Sequence, residues 1–94
     1  MTTTNDEIGL ATLQALYGPD ERASHAAWCR ISRRGMVRVR FLRHFPGKFD
    51  WKPGDEWWFW ADQLTDEGEL TTKAFGHYPP GSVEAVDRIN ERGE

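Results

Sequence analysis

Residues 51–64 read WKPGDEWWFWADQL and hold four of the five tryptophans in the chain. Read with a period of two, Trp57 and Phe59 face one way while Trp58 and Trp60 face the other, as in a strand that is apolar on both faces. A period of 3.6 would instead place the stretch on a helix. Consecutive aromatic side chains lose rotamer freedom on a helix and fit a pleated surface better, so the stretch predicts a strand.

The burial energy of this strand indicates how much of it must lie inside the fold. Burying its four consecutive aromatic side chains at about 200 Å² each and about 25 cal/mol per Å² gives roughly 20 kcal/mol, as an upper bound. That exceeds the net stability of about 5–15 kcal/mol expected for a whole domain. At least one face of the strand is therefore expected in the core. Whether the face with Trp58 and Trp60 is core or interface stays open.

Length and composition predict one small globular domain over residues 1–94. No run of residues has the length and apolarity of a membrane span, and the N-terminal MTTTNDEIGL lacks the order of a signal peptide. We therefore expect a cytoplasmic protein that does not bind membranes. Cys29 is the single cysteine and has no metal-ligand or redox spacing around it, so neither a disulfide, a metal nor a cofactor is expected.

The net charge of −3 hides an uneven distribution along the chain. Residues 1–21 carry a net charge of −4, residues 22–52 carry +8 and residues 53–94 carry −7. Such asymmetry fits either two surfaces of opposite sign or neutralisation of one block by another on folding. A small fold brings the blocks close together, so we expect internal neutralisation.

The N-terminal part of the chain predicts a helix followed by an ambiguous segment. Residues 4–17 combine a capping box, Thr4 with Glu7, with a periodic apolar run. Residues 20–32 fit either a helix or a strand. Residues 36–45, MVRVRFLRHF, predict the clearest strand, because apolar residues alternate with Arg38 and Arg40.

The C-terminal part predicts a hairpin and a last helix. Residues 69–78 form the second strand of a hairpin that turns at residues 66–68. Ser82 is the expected cap of a helix that carries Val83, Val86 and Ile89. The predicted fold class is α+β, with an antiparallel meander of three to four strands flanked by an N-terminal and a C-terminal helix.

The arginines of the clearest strand and the neighbouring tryptophans form the candidate binding site. If Arg38 and Arg40 share a face with Trp58 and Trp60, the guanidinium groups can lie over the indole rings as cation–π pairs. The same composition is typical of interface anchors and of surfaces that stack bases and neutralise phosphates. The predicted binding residues are Arg38, Arg40, Arg43, Trp51, Trp58 and Trp60.

Part of this region partly resembles an RNA-binding family. Residues 34–41 are similar to the central strand of the RNA-recognition motif in their basic-Gly start and in Val39 and Phe41. Met36 and Arg38 stand where that motif has stacking aromatics, so its function is not transferred.

Three classes of function are compatible with these features. The favoured one is a non-enzymatic binding module that occupies a surface of another protein or of a protein–nucleic-acid assembly, such as a phage- or plasmid-type inhibitor of a host defence complex. Single-stranded nucleic-acid binding through the arginine and aromatic face is the first alternative. A ribonuclease-like activity of His25, His44 and His77 is the last, since these histidines share no motif spacing. A homodimer is also compatible with the pattern.

Overall fold

The computed structural model describes residues 21–94. The predicted helix over residues 4–17 lies outside this range. The elements, in chain order, are α1 (Glu21–Ser32), β1 (Met36–Phe41), β2 (Glu56–Trp60), a 3-10 helix (Ala61–Gln63), β3 (Leu70–Thr71), β4 (His77–Tyr78) and β5 (Val83–Ile89).

The chain divides into two compact units. Of the described residues, 21–36 and 89–94 belong to one unit, and residues 37–88 belong to the other. The second unit contains nearly all of the strands and the stretch that is rich in tryptophan. The expectation of a single domain over residues 1–94 stays a prediction.

In the first unit, α1 settles the ambiguity of residues 20–32 in favour of a helix. Its sequence, ERASHAAWCRIS, is rich in alanine, the residue with the highest helix propensity. Ser24 Oγ donates a hydrogen bond to the Glu21 carbonyl oxygen at 2.8 Å. The helix ends where Arg33 adopts a φ of 58° and its backbone N–H donates to the Cys29 carbonyl oxygen at 2.8 Å, as in a left-handed C-cap.

A three-stranded antiparallel sheet has the order β2-β1-β5. The Leu42 backbone N–H donates to the Ser82 carbonyl oxygen at 2.9 Å, while Arg40 reaches Glu84. Residue numbers therefore rise along β1 as they fall along β5, which confirms the antiparallel sheet of an α+β fold. The expected meander is wrong. β5 pairs with the edge of β1 that β2 leaves free, instead of pairing with the strand that precedes it in the sequence.

The predicted C-terminal helix is also wrong, because Val83–Ile89 forms the strand β5. Val83 and Ile89 are both buried, and their separation of six residues puts them on the same face of a strand, whereas on a helix they would lie about 120° apart. A strand at this position can form backbone hydrogen bonds with the edge of β1, whereas a helix would satisfy its backbone groups internally. Pairing with β1 therefore decides the structure of this segment over its local sequence pattern. The Ser82 hydroxyl donates to the Pro79 carbonyl oxygen and does not cap a helix.

The predicted aromatic strand is confirmed as β2, Glu56–Trp60. The predicted strand over residues 69–78 is instead two short strands, β3 and β4, which pair with each other antiparallel. The turn at residues 66–68 forms, but it connects Leu64 and Leu70, which pair only in an isolated antiparallel bridge. Thr72 stabilises the turn between β3 and β4, because its hydroxyl accepts a hydrogen bond from the Phe75 backbone N–H at 2.8 Å.

The core of the second unit lies on the face of β1 opposite its arginines. Phe41 is fully buried at its centre and its ring stacks on Trp51, with centroids 4.4 Å apart. The buried members of this core are Val37, Val39, Phe41, Trp51, Phe59, Leu70, Tyr78 and Val83. Phe59 thus confirms that one face of the aromatic strand is core.

Replacing Gly68 by alanine tests how closely the turn at residues 66–68 approaches β5. The φ of Gly68 is +80°, and an added Cβ would lie 2.5 Å from the Val83 carbonyl oxygen. Gly76 has a φ of +99° with open space around it, which makes it a matched control. Gly76→Ala is expected to lower the free energy of unfolding by about 1–2 kcal/mol from backbone strain alone. Gly68→Ala should cost about 1–3 kcal/mol more, because the backbone must shift.

Urea unfolding of both variants measures this difference. Equal losses of stability in the two proteins would show that the turn does not pack against the strand as described.

A candidate aromatic binding cleft

The arginines on one face of β1 contact other side chains of the same chain. The Arg38 guanidinium lies 5.7 Å from the centroid of the Trp58 ring, which confirms that the arginines and Trp58 share a face. Arg38 Nε lies 3.3 Å from Glu56 Oε1, but it is buried and its N–H does not point at a hydrogen-bond acceptor. The Arg38–Glu56 contact is therefore an ion pair without a well-directed hydrogen bond.

Arg40 bridges two carboxylates that come from different strands. Its Nη2 donates to Glu56 Oε2 at 3.1 Å and its Nη1 donates to Glu84 Oε1 at 2.9 Å. Hydrogen bonds from Arg40 to Glu56 and then to Glu84 raise the pKa of Arg40 above its ordinary value. Both carboxylates belong to the acidic block of the sequence, so the expected internal neutralisation is confirmed for these pairs.

The other residues of the predicted site are not part of these ion pairs. Arg43 is exposed, and its Nη2 donates to the Pro80 carbonyl oxygen at 3.3 Å. Trp51 and Trp58 are buried, and the Trp51 indole N–H donates to the Tyr78 hydroxyl at 2.9 Å. Trp60 is half-buried. The role of these side chains in binding stays a prediction.

A cleft that the sequence did not indicate lies between two loops of the second unit. Its volume is about 370 Å³. One wall is the loop 46–50, closed at its base by the antiparallel bridge between Phe45 and Trp51, and the other wall is the segment 75–79. The lining includes the aromatic side chains of Phe45, Phe49, Trp51, Phe75 and Tyr78.

The loop 46–50 has the backbone chemistry that such a tight reversal needs. Pro46 and Gly47 end the extended run, and Asp50 adopts a φ of 45°, in the left-handed region where Asp is more common than most residues. This reversal leaves Phe49 with 39% of its surface exposed at the mouth of the cleft. Trp57, which is 49% exposed, lies beside Trp51 with ring centroids 6.4 Å apart.

The rings of the cleft form a continuous surface. The centroids of Phe49 and Phe75 are 4.4 Å apart, and those of Phe49 and Trp51 are 6.1 Å apart at an interplanar angle of 19°. A group inserted between two parallel rings needs contacts of about 3.5–4.0 Å on each side, and so a separation of about 7 Å or more. The pair of nearly parallel rings is too close for that, so a ligand would lie across the rings rather than between them.

Two histidine–carboxylate pairs flank the cleft. His44 Nε2 lies 2.8 Å from Asp50 Oδ1, and Lys52 Nζ lies 3.1 Å from Asp50 Oδ2. His77 Nε2 lies 2.7 Å from Glu69 Oε2. Both carboxylates thus accept hydrogen bonds at the rim, and Asp50 also pairs with the charged Lys52.

The hydrogen bond from His44, followed by that from Lys52, lowers the pKa of Asp50 below its ordinary value. The contribution of Asp50 to stability is therefore complete above its unfolded pKa of about 3.9 and is lost as the pH falls through its lower folded pKa. In a His44→Ala variant the pKa of Asp50 should rise toward the ordinary value. Titration of the Asp50 carboxyl carbon by NMR measures this change, and an unchanged pKa would contradict the pairing.

The three histidines are held by three different acceptors. His25 is buried in α1 with Nδ1 2.7 Å from the Glu21 carbonyl oxygen, while His44 and His77 pair with the carboxylates just described. Within residues 21–94, no group of three or more His, Cys, Asp or Glu side chains is placed to hold a metal ion. Burial raises the pKa of the Cys29 thiol, which keeps it protonated. No helix in the described part is long and apolar enough to cross a membrane.

Comparison with protein-family models, curated proteins and solved structures gave no match to this chain.

Proposed function

We propose that this chain is a non-enzymatic binding module that acts by occupying a surface of a partner protein. The observation that carries the proposal is the aromatic surface formed by Phe49 and Trp57, both substantially exposed and both packed beside the buried Trp51. Aromatic residues are enriched in protein–protein interfaces and among the residues that contribute most to affinity. A stoichiometric inhibitor, such as one directed at a host defence complex, would need no more than such a surface.

The pairing of the arginines favours a protein partner over a nucleic acid. Arg38 and Arg40 face Glu56 and Glu84, so a phosphate that approached them would displace an existing carboxylate. Binding of single strands depends strongly on free cationic groups and on salt. A single-stranded oligonucleotide is therefore expected to bind weakly to this arginine face even at low ionic strength.

A comparison of variants in a capture experiment tests the proposal. The wild-type protein, immobilised and exposed to a lysate of its source cells, should retain a partner that is also retained by Leu42→Ala. Leu42 is a large, 44% exposed hydrophobic residue that does not line the cleft. The Phe49→Ala/Trp57→Ala variant should lose that partner while keeping its circular dichroism spectrum. Equal capture by all three proteins would refute the proposed function.

A further inference from the structure

Resting on the proposed function, we infer that the cleft receives an extended, proline-rich segment of the partner that carries acidic residues beside its prolines. Three independent features of the cleft lead to this class of ligand: its shape, the hydrogen-bonding groups left over at its surface, and its charge.

The shape suits a ligand that is laid across aromatic rings. Phe49, Trp51 and Phe75 line the cleft in mutual contact, with centroid separations of 4.4–6.1 Å, so no two of these rings leave room for a group between them. A polyproline II segment has a repeat of three residues, no internal hydrogen bonds and little conformational entropy to lose. Proline-rich segments dock on aromatic-lined grooves in this way.

The side-chain hydrogen-bonding groups favour a ligand that supplies acceptors. The side-chain oxygens of the cleft are engaged, since both Asp50 oxygens bind His44 and Lys52 and the Tyr78 hydroxyl both accepts from Trp51 and donates to Phe75. By contrast, the Lys48 ammonium in the wall of the cleft has no hydrogen-bond partner among the described residues, and neither has the indole N–H of Trp57, which lies outside the lining beside Trp51. Proline residues supply carbonyl acceptors and no backbone N–H, so they match this excess of donors.

The charge at the cleft favours acidic residues in the ligand. Lys48, whose Nζ lies 5.7 Å from the Phe49 ring centroid, forms no ion pair with a described residue. The same holds for Lys73 in the turn that carries Phe75. The one carboxylate of the loop that holds Lys48, Asp50, is already paired with Lys52. The unbalanced charge is thus positive, which complements an acidic segment.

A peptide titration tests this inference. The probe is a synthetic 12-residue peptide with a proline-rich centre and two glutamates at one end, followed by tryptophan fluorescence and by chemical-shift changes in the full chain. We expect saturable binding, and at least tenfold weaker binding when the prolines are replaced by alanine. Lys48→Glu, a change on an exposed loop, should weaken binding about tenfold, whereas Leu42→Ala should bind like wild type.

Each contrary result has a definite meaning. Equal binding of the proline and alanine peptides, or no binding up to about 1 mM peptide, overturns the inferred ligand class. If partner capture still depends on Phe49 and Trp57 in that case, the proposed function stands without it. Sedimentation that shows a dimer dissociated by Phe49→Ala/Trp57→Ala would replace the peptide with a second copy of this chain. Salt-sensitive binding of an oligothymidine at the same residues would replace it with a single-stranded nucleic acid.

Discussion

Replacing Phe41 by alanine is expected to lower the free energy of unfolding by about 3–5 kcal/mol, since truncation of a buried aromatic residue removes its transfer energy and leaves a cavity. Phe41 is fully buried and its ring contacts those of Phe45, Trp51, Phe59 and Tyr78. The loss would be a large part of the roughly 5–15 kcal/mol that stabilises a domain of this kind. Equilibrium unfolding in urea measures it.

The neighbouring Leu42 provides the control for this variant. It lies next to Phe41 in the sequence but is 44% exposed. Leu42→Ala should therefore lower the free energy of unfolding by only about 1 kcal/mol. If Phe41→Ala cost no more than Leu42→Ala, the aromatic cluster would not be the core of the unit formed by residues 37–88.

Replacing Phe49 and Trp57 together by alanine is expected to weaken binding of the partner by a factor of roughly 30 or more. Truncation of an aromatic hot-spot residue typically costs at least about 2 kcal/mol of binding free energy, and each factor of ten corresponds to about 1.4 kcal/mol. Isothermal titration calorimetry with the partner identified by capture measures the dissociation constant. Single variants should show which of the two rings contributes more.

The single variant Trp57→Ala should retain the fold. Trp57 is 49% exposed, so truncation removes about 100 Å² of buried surface and costs at most about 2.5 kcal/mol. Ile31→Ala on α1 is a suitable second control for binding, because Ile31 is 64% exposed and belongs to the other unit. A fall in affinity that Ile31→Ala shared would contradict a role confined to the cleft.

The strands that sequence reasoning identified are those whose side-chain pattern is strong. Val37, Val39 and Phe41 alternate with arginines, and that alternation appears unchanged as a buried face and a half-exposed face of β1. The aromatic run became β2 for a related reason, because its side chains need a pleated surface with a core on one side. Local pattern and tertiary environment agree in both elements.

The errors lie where partners distant in sequence decide the structure. Val83 to Ile89 fits a helical and an extended pattern, and only the free edge of β1 selects the strand. The cleft depends on the bridge between Phe45 and Trp51 and on the two short strands that carry Phe75 to it. Phe49 and Trp51 show alternation in the sequence, but nothing in that alternation indicates that Phe75 packs beside them.

The candidate site was therefore only partly predictable. Arg38 and Trp58 lie together, as the sequence allowed, but the ion pairs with Glu56 and Glu84 can be identified only when the neighbouring strands are known. The uneven charge along the sequence predicted that basic and acidic residues would pair on folding, but it did not identify which residues pair.

The central claim is that the aromatic side chains divide into a core that holds the fold and an exposed pair, Phe49 and Trp57, that binds a partner. Measuring both the urea unfolding free energy and the partner's dissociation constant on the Trp57→Ala protein tests it most directly. We predict a loss of stability of no more than about 2.5 kcal/mol, together with a clear loss of affinity that Leu42→Ala does not show. Unchanged affinity in a folded Trp57→Ala protein would contradict the account.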